Sequence, residues 1–253
     1  MIATVMAMTD PDIDNKDPMI AWWQSPLGQC VFKHEQQLFQ STPEHFHGYY
    51  QLQIGVEHNL LPDMTMPKFR KRMASSADVA GCTELLPFKS KSLDTLMLSH
   101  VLEFSPDPHQ VLREAERILV GDGTMIICCF NPWSWWGLRR LFSCKKVAPW
   151  HGHFFGQSRI KDWLSLLNFD VVSTERLMFR PPLNSEKWLG RTAKLESCGH
   201  RFWPIFSGVT ILVATKRTAP LTPVAERWHA RQLFPKKNSV PKPVTREKIN
   251  GPR

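Results

Sequence analysis

Leu93-Asp-Thr-Leu-Met-Leu-Ser99 is followed by Ser105-Pro-Asp-Pro-His-Gln110 and then by Thr124-Met-Ile-Ile-Cys-Cys-Phe130. The first and third runs are almost continuously apolar, which is expected of strands that are covered on both faces. Between them, Asp107-Pro108 predicts the N-cap and first residue of a helix, and Gly121-Asp-Gly123 predicts its end. A strand–helix–strand unit requires a right-handed crossover and a parallel sheet. This stretch therefore predicts an α/β fold.

The helix that begins after Asp107 has two distinct faces. Its buried stripe is predicted to contain Val111, Leu112, Ala115, Ile118 and Leu119. Charged residues occupy the rest of the surface, and we interpret Glu114 with Arg113 and Arg117 as a solvated face stabilised by neighbouring charges.

The flanking sequence adds elements on both sides of this unit. Ser25-Pro26 predicts the start of a helix that extends to about Gln40. Residues 158–167 are amphipathic, and we interpret 180–207 as a loop containing Pro and Trp. Strands are predicted at 49–55, near 69–75, at 77–82, at 169–175 and at 208–215.

Composition and charge suggest a soluble globular domain with a basic end. The chain has 253 residues, of which 42% are hydrophobic, and a net charge of +9. Residues 216–253 hold ten Lys or Arg and two Asp or Glu, which gives +8, so the body is nearly neutral and no basic face is predicted for it. We predict a flexible leader at 1–18, a domain at 19–217 and a disordered basic tail at 218–253.

The sequence also gives expectations for the cellular location of the protein and for metal binding. The leader has no secretory pattern, and no run reaches the ~18 apolar residues of a membrane span, so we expect a cytoplasmic protein. The six cysteines form no C-x-x-C pair. Buried free thiols fit this spacing better than disulfides or zinc, and we predict no metal site.

Four segments in order resemble one known family. They are Leu86-Pro-Phe-Lys-Ser-Lys-Ser-Leu-Asp94, Leu98-Ser-His-Val-Leu-Glu103, Leu112-Arg-Glu-Ala-Glu-Arg-Ile-Leu119 and Gly121-Asp-Gly123. Together they are similar to the type 11 group of class I S-adenosylmethionine (SAM)-dependent methyltransferases. Phe130-Asn-Pro-Trp-Ser134 and Asp162-Trp-Leu-Ser-Leu-Leu-Asn-Phe169 resemble a bacterial subgroup of it. The resemblance implies a Rossmann-like, mostly parallel sheet with helices on both faces, preceded here by an N-terminal helix.

The resemblance also implies where SAM would bind. Gly55 matches the first glycine of the loop after the first strand, where glycine lets backbone amides approach the methionine part of SAM. Cys82 and Thr83 fall where the family has an aspartate for the adenine amino group and its neighbour. Ser99 and His100 match the residues near the methyl group. The remaining expected contacts are Gln53, Ile54 and Glu57.

The cofactor half departs from the family pattern. Val56-Glu-His-Asn-Leu60 stands where two further glycines are expected, and no ribose-binding acid is evident near Arg72 to Ser76. Glu57 is a candidate replacement for that acid. Hydrogen bonds to a charged group contribute roughly 1.5–3 kcal/mol each, so losing two weakens SAM binding by about a few hundredfold or more.

Two functional hypotheses follow from this asymmetry. The first is a SAM-dependent methyltransferase for a small or lipid-like acceptor, in which positioning supplies most of the rate. The second is a catalytically inactive methyltransferase fold that acts as a binding or regulatory module. His100 is either a base or substrate-orienting group near the methyl, or a histidine that merely lines the pocket.

Two segments suggest contact with a larger partner. Trp133-Ser-Trp-Trp-Gly-Leu-Arg-Arg-Leu-Phe142, followed by Lys145-Lys146, is either an amphipathic patch for a membrane or lipid-like acceptor or an ordinary helix covering the sheet. The basic tail is either a contact for nucleic acid or anionic lipid, or a solubilising segment.

Overall fold

The computed structural model describes residues 18–56, 58–62, 69–73, 82–143, 148–192, 195–196, 199, 201 and 203–218. Most of the leader, Glu57, residues 77–81 of a predicted strand, Lys145-Lys146 and tail residues 219–253 lie outside these ranges. The described helices are α1 (Pro18–Trp23), α2 (Pro26–Ser41), α3 (Pro108–Ile118), α4 (Trp135–Phe142), α5 (Gln157–Leu166) and α6 (Glu186–Arg191). The described strands are β1 (Tyr50–Ile54), β2 (Phe69–Met73), β3 (Leu93–Ser99), β4 (Leu119–Phe130), β5 (Phe169–Leu177) and β6 (Val209–Lys216).

These six strands form one sheet in the order β2-β1-β3-β4-β6-β5. The pairs β1–β2, β1–β3 and β3–β4 are parallel, whereas β6 runs antiparallel to both of its neighbours. The mostly parallel Rossmann-like sheet is therefore confirmed. The predicted domain boundaries at residues 18 and 217 stay predictions.

Helices cover both faces of the sheet. Successive residues of β3 and β4 belong in turn to two separate apolar clusters, as Met97 and Leu98 do. This is because successive side chains of a strand point to opposite faces. One cluster receives Leu27 and Val31 of α2, and the other receives Val111 of α3. Among the described residues, no helix combines the length and apolar character needed to cross a bilayer.

Most predicted elements are present within one or two residues, and two predictions were wrong. Helix α3 ends at Ile118, and β4 begins at once because Leu119 is extended and pairs with Leu93. The segment Gly121-Asp-Gly123 therefore lies inside β4 beside a register shift, instead of ending the helix. The predicted loop 180–207 contains α6 and a short 3-10 turn at Pro204–Phe206.

The charged face of α3 is also not simply solvated. Glu114 is 7% exposed, and its Oε2 accepts a hydrogen bond from the Leu86 backbone N–H at 3.0 Å. Arg117 donates to the carbonyl oxygens of Leu86 and Phe88 at 3.0 and 2.9 Å and pairs with Glu114 at 2.8 Å. These residues hold the Leu86-Pro-Phe88 turn against the helix. The interpretation of Glu114 and Arg117 as a solvated face was wrong, whereas Arg113 is exposed as expected.

Candidate active site

A cavity of about 680 Å³ opens at the carboxyl ends of β1 and β3. This is where ligands bind in open α/β sheets, and the volume lies within the usual range for a small-molecule site. Three of its lining residues, Gly55, Ser99 and His100, follow or end these strands, while α1 contributes Met19 and Trp23. The site therefore combines the sheet with the N-terminal helix.

Gly55 can only be glycine in this backbone. Its φ is +113°, and a Cβ built at this position would lie 2.1 Å from the carbonyl oxygen of Ser99. Residues with a side chain rarely adopt this φ, and the approach of β3 leaves no space for one. Its N–H donates to Met73 O at 3.1 Å, which ties the end of β1 to β2.

The loop after β1 is shaped by a glutamine side chain. Gln53 donates through Nε2 to the carbonyl oxygens of Val56 and His58 at 3.0 and 2.6 Å, and its Oε1 accepts from Leu60 N at 3.0 Å. Gln53 is fully buried and is not among the residues that line the cavity, whereas Ile54 is. The three hydrogen bonds hold a turn that further glycines provide in the family pattern.

One wall of the cavity carries a carboxylate that the sequence reasoning missed. Cys82, Thr83 and Glu84 all line the cavity. Cys82 Sγ donates to Glu84 Oε2 at 2.6 Å, and Ser105 Oγ donates to Glu84 Oε1 at 2.6 Å. These hydrogen bonds, first from Cys82 and then from Ser105, hold the pKa of Glu84 below its ordinary value. An acid two residues after the expected aspartate position was the available signal.

His100 lies at the centre of a buried ionic cluster. Its Nε2 is 2.8 Å from Glu35 Oε1 on α2, and its Nδ1 is 3.3 Å from Glu103 Oε1. All three side chains are at most 1% exposed. Its φ of +53° is in the left-handed region, so the chain turns sharply at the end of β3. Glu35 had no sequence signal, because it is 65 residues away and has the character of an ordinary polar helix residue.

The two carboxylates determine the charge of His100. Burial by itself lowers the pKa of this imidazole, but the charge of Glu35 and the hydrogen bonds to Glu103 and Glu35 outweigh it and raise the pKa to about 9. His100 is therefore a cation near neutral pH, with both ring N–H groups donated to carboxylates. Neither ring nitrogen is free to accept a proton, so the geometry favours a fixed wall of the cavity over a general base.

The methionine and adenine ends of SAM would require accessible backbone and an acceptor for an amino group. Gly55 has an exposed backbone at the cavity edge, and Glu84 provides a carboxylate able to accept from an amino group. Among the described residues that line the cavity, Glu84 is the one carboxylate, and Glu57 lies outside the described ranges. A ribose-binding acid is thus not among the described lining residues.

Comparisons with known proteins agree with this fold. Residues 59–127 match the family described as "Methyltransferase domain". Over 169 residues the chain is 38% identical to the uncharacterized protein YafS of Escherichia coli, covering 66% of this chain and 62% of that protein. Over 110 residues it is 31% identical to malonyl-[acyl-carrier protein] O-methyltransferase 1 of Coxiella burnetii, covering 42% of this chain and 38% of that one. In both cases the matched part spans less than two thirds of the relative's length.

A solved structure gives the same result for the fold. A SAM-dependent methyltransferase from Thermotoga maritima superposes with a TM-score of 0.57 at 17% identity, covering 78% of this chain and 94% of that one. At this identity the likeness concerns the fold alone. The match of residues 59–127 to the methyltransferase domain and the shared fold both agree with the resemblance to class I SAM-dependent methyltransferases.

Proposed function

We propose that this chain transfers a methyl group from SAM to a small or lipid-like acceptor in the cavity at the ends of β1 and β3. The observation that carries the proposal is Gly55, held at φ +113° against the Ser99 carbonyl where any side chain would collide. Gly55 is exposed and lines the cavity, so a ligand there can approach its backbone. The match to the methyltransferase domain suggests SAM as that ligand.

The chain's own residues divide into two groups. Gly55, Ser99 and Glu84 would hold the cofactor: Gly55 by its exposed backbone, Ser99 by a buried hydroxyl without a partner among the described residues, and Glu84 by its carboxylate. When bound there, SAM supplies an activated methyl group. Met19 and Trp23 form an apolar wall from α1 against which an acceptor would pack.

His100 contributes position and charge to this site. Because both of its ring nitrogens are occupied by Glu35 and Glu103, it cannot remove a proton from the acceptor. Held between two buried acidic side chains, the ring of His100 is a fixed polar part of the cavity wall.

The alternative is a methyltransferase fold that binds a ligand without catalysing transfer. It is favoured by one observation: Gln53, rather than a series of glycines, holds the loop after β1, and this loop brings the buried side chains of Val56 and Leu60 to the place of the glycine-rich turn. Such a loop has less free backbone for a cofactor than the family pattern has.

Calorimetry on the full chain tests the proposal. Native protein is titrated with SAM and with S-adenosylhomocysteine, alongside Gly55→Ala and the matched control Gly190→Ala, whose added Cβ would meet nothing within 4 Å. We expect binding by the native and control proteins and a loss of about tenfold or more in Gly55→Ala. Absence of heat with either ligand at millimolar concentration would reject the methyltransferase and leave the binding module. Binding with equal affinity in Gly55→Ala would reject this cavity as the cofactor site.

A further inference from the structure

Most large apolar side chains of helix α4 are exposed to solvent. Gly137 and Trp136, which is fully buried, form the face that packs on the sheet side. A helix that simply covers a sheet has its apolar residues inward and its charges in water. In α4 and the residue two before it, the exposed apolar side chains are Trp133 at 73%, Trp135 at 56%, Leu138 at 42%, Leu141 at 77% and Phe142 at 78%.

The arginines of α4 lie beside aromatic rings, Arg139 at an exposed position and Arg140 at a half-buried one. The guanidinium of Arg139 lies 4.8 Å from the ring centre of Trp150, and Arg139 also donates to Pro182 O. Arg140 is half-buried, with its Nε inaccessible to solvent and its guanidinium 5.4 Å from the ring centre of Phe154. Large apolar side chains and exposed Arg139 therefore share the solvent-facing surface of α4. An ordinary covering helix does not account for so much exposed apolar surface.

A second exposed apolar segment lies beside this helix. In the turn Pro204–Phe206, Ile205 is 65% exposed and Phe206 is 51% exposed. The side chain of Asn131 donates to the carbonyl oxygens of Ile205 and Ser207 at 2.7 and 3.0 Å, and its Oδ1 accepts from Trp133 N at 3.1 Å. Asn131 thereby fastens the turn next to Trp133. We call the combined surface the aromatic patch: Trp133, Trp135, Leu141, Phe142, Ile205 and Phe206.

The charge of the surrounding sequence is one-sided. Residues 123–157 contain no Asp or Glu, and their four basic residues are Arg139, Arg140, Lys145 and Lys146. Exposed Trp, Phe and Leu side chains with Arg and Lys among them are typical of surfaces that lie at the boundary between lipid headgroups and acyl chains. Anionic headgroups complement this charge, whereas an acid-free segment offers nothing to a basic partner.

We propose that the aromatic patch docks this protein on an anionic membrane surface, with its rings and Leu141 inserted at the headgroup level. The inference does not depend on methyl transfer, because it rests on exposure and charge outside the cavity. It is nevertheless compatible with a lipid-like acceptor. Arg139 contacts Trp150, and the next residue, His151, lines the cavity, so the patch and the cavity rim share one connected segment.

Vesicle flotation of the full chain tests this proposal. The vesicles consist either of phosphatidylcholine alone or of equal parts phosphatidylcholine and phosphatidylglycerol. The test variant combines Trp135→Ser, Leu141→Ser and Phe142→Ser. The control is Leu166→Ser, which removes a side chain that is 79% exposed on α5, on the other face of the sheet. Every protein retains residues 216–253, so the basic charge of that segment is the same in all of them.

We expect native and control proteins to float with the mixed vesicles, and the triple variant to bind at least about tenfold more weakly, which corresponds to about 1.4 kcal/mol. Circular dichroism shows whether the triple variant is folded. If it is unfolded, Ile205→Ser tests the same patch from the separate turn. Unchanged flotation of a folded patch variant, or no flotation of the native protein, would overturn the proposal. A native dimer that the patch variant dissociates would assign the surface to a second copy of the chain instead.

Discussion

His100 Nε2 and Glu35 Oε1 lie 2.8 Å apart, although one belongs to the end of the central strand β3 and the other to the N-terminal helix α2. Neither side chain is more than 1% exposed. The pair joins α2 to the sheet directly beside the cavity, and Glu103 completes it from the other ring nitrogen. Stability and the shape of the site thus depend on the same three residues.

Replacing the cation should leave two carboxylates buried without a charge partner. We expect His100→Gln to lower the free energy of unfolding by about 3–5 kcal/mol at pH 7, the usual effect of breaking a buried ion pair from one side. Urea denaturation measures this. The control is His153→Gln, which changes an exposed side chain and keeps the backbone N–H that donates to Glu103 O. For this variant about 0.5 kcal/mol or less is expected. Similar values for both variants would show that the cluster contributes nothing specific.

The same cluster should make stability depend on alkaline pH. The pKa of His100 is about 9 in the folded chain and 6.5 in the unfolded chain. Its contribution is therefore fully present below pH 6.5 and is lost as pH rises towards 9, amounting to about 3 kcal/mol. Burial also raises the pKa values of Cys128 and Cys129, so these thiols add to the loss at higher pH still.

Urea midpoints between pH 6 and pH 9 measure this dependence. His100→Gln should lack most of the decline over this range, while His153→Gln should retain it. A native protein whose midpoint is constant from pH 6 to pH 9 would contradict the assignment of a raised pKa to His100.

Under the proposed function, Glu84 should contribute to cofactor affinity. Removing its charge in Glu84→Gln takes away the carboxylate that Cys82 and Ser105 orient at the cavity wall. We expect SAM affinity to fall about tenfold to a hundredfold, as for the loss of one charged hydrogen bond. Calorimetry measures this, with the exposed Glu44→Gln as the matched control. Equal affinities would place the adenine end of the cofactor elsewhere.

The contact between α3 and the Leu86-Pro-Phe88 turn should be structural. Arg117→Met removes donors to two backbone carbonyls and to Glu114, and we expect a loss of about 2 kcal/mol in the free energy of unfolding. Arg113→Met on the same helix removes a side chain that is 58% exposed and should change stability by about 0.5 kcal/mol or less. Thermal or urea unfolding distinguishes them. Equal effects would restore the interpretation of a solvated helix face.

The local elements were predictable because their signals are local. Asp107 is an N-cap in fact, accepting from Gln110 N at 3.0 Å, and the apolar runs at 93–99 and 124–130 lie within buried parallel strands. The failure at Gly121-Asp-Gly123 has a tertiary cause. The glycines permit an irregular strand opposite Asp94, where a Cβ on Gly123 would lie 3.1 Å from a backbone carbonyl, and pairing with β3 outweighs the local tendency to end a helix there.

The sequence by itself determined the α/β class, the family resemblance after Leu86 and the position of Gly55, because each depends on residues near one another along the chain. Only the tertiary structure decided the chemistry of the cavity. It brought Glu35 to His100 across 65 residues, oriented Glu84 with Ser105, and turned the apolar face of α4 outward. Such contacts join distant segments, and their free energies arise from burial and from opposite charges in a low-dielectric interior, which no local pattern records.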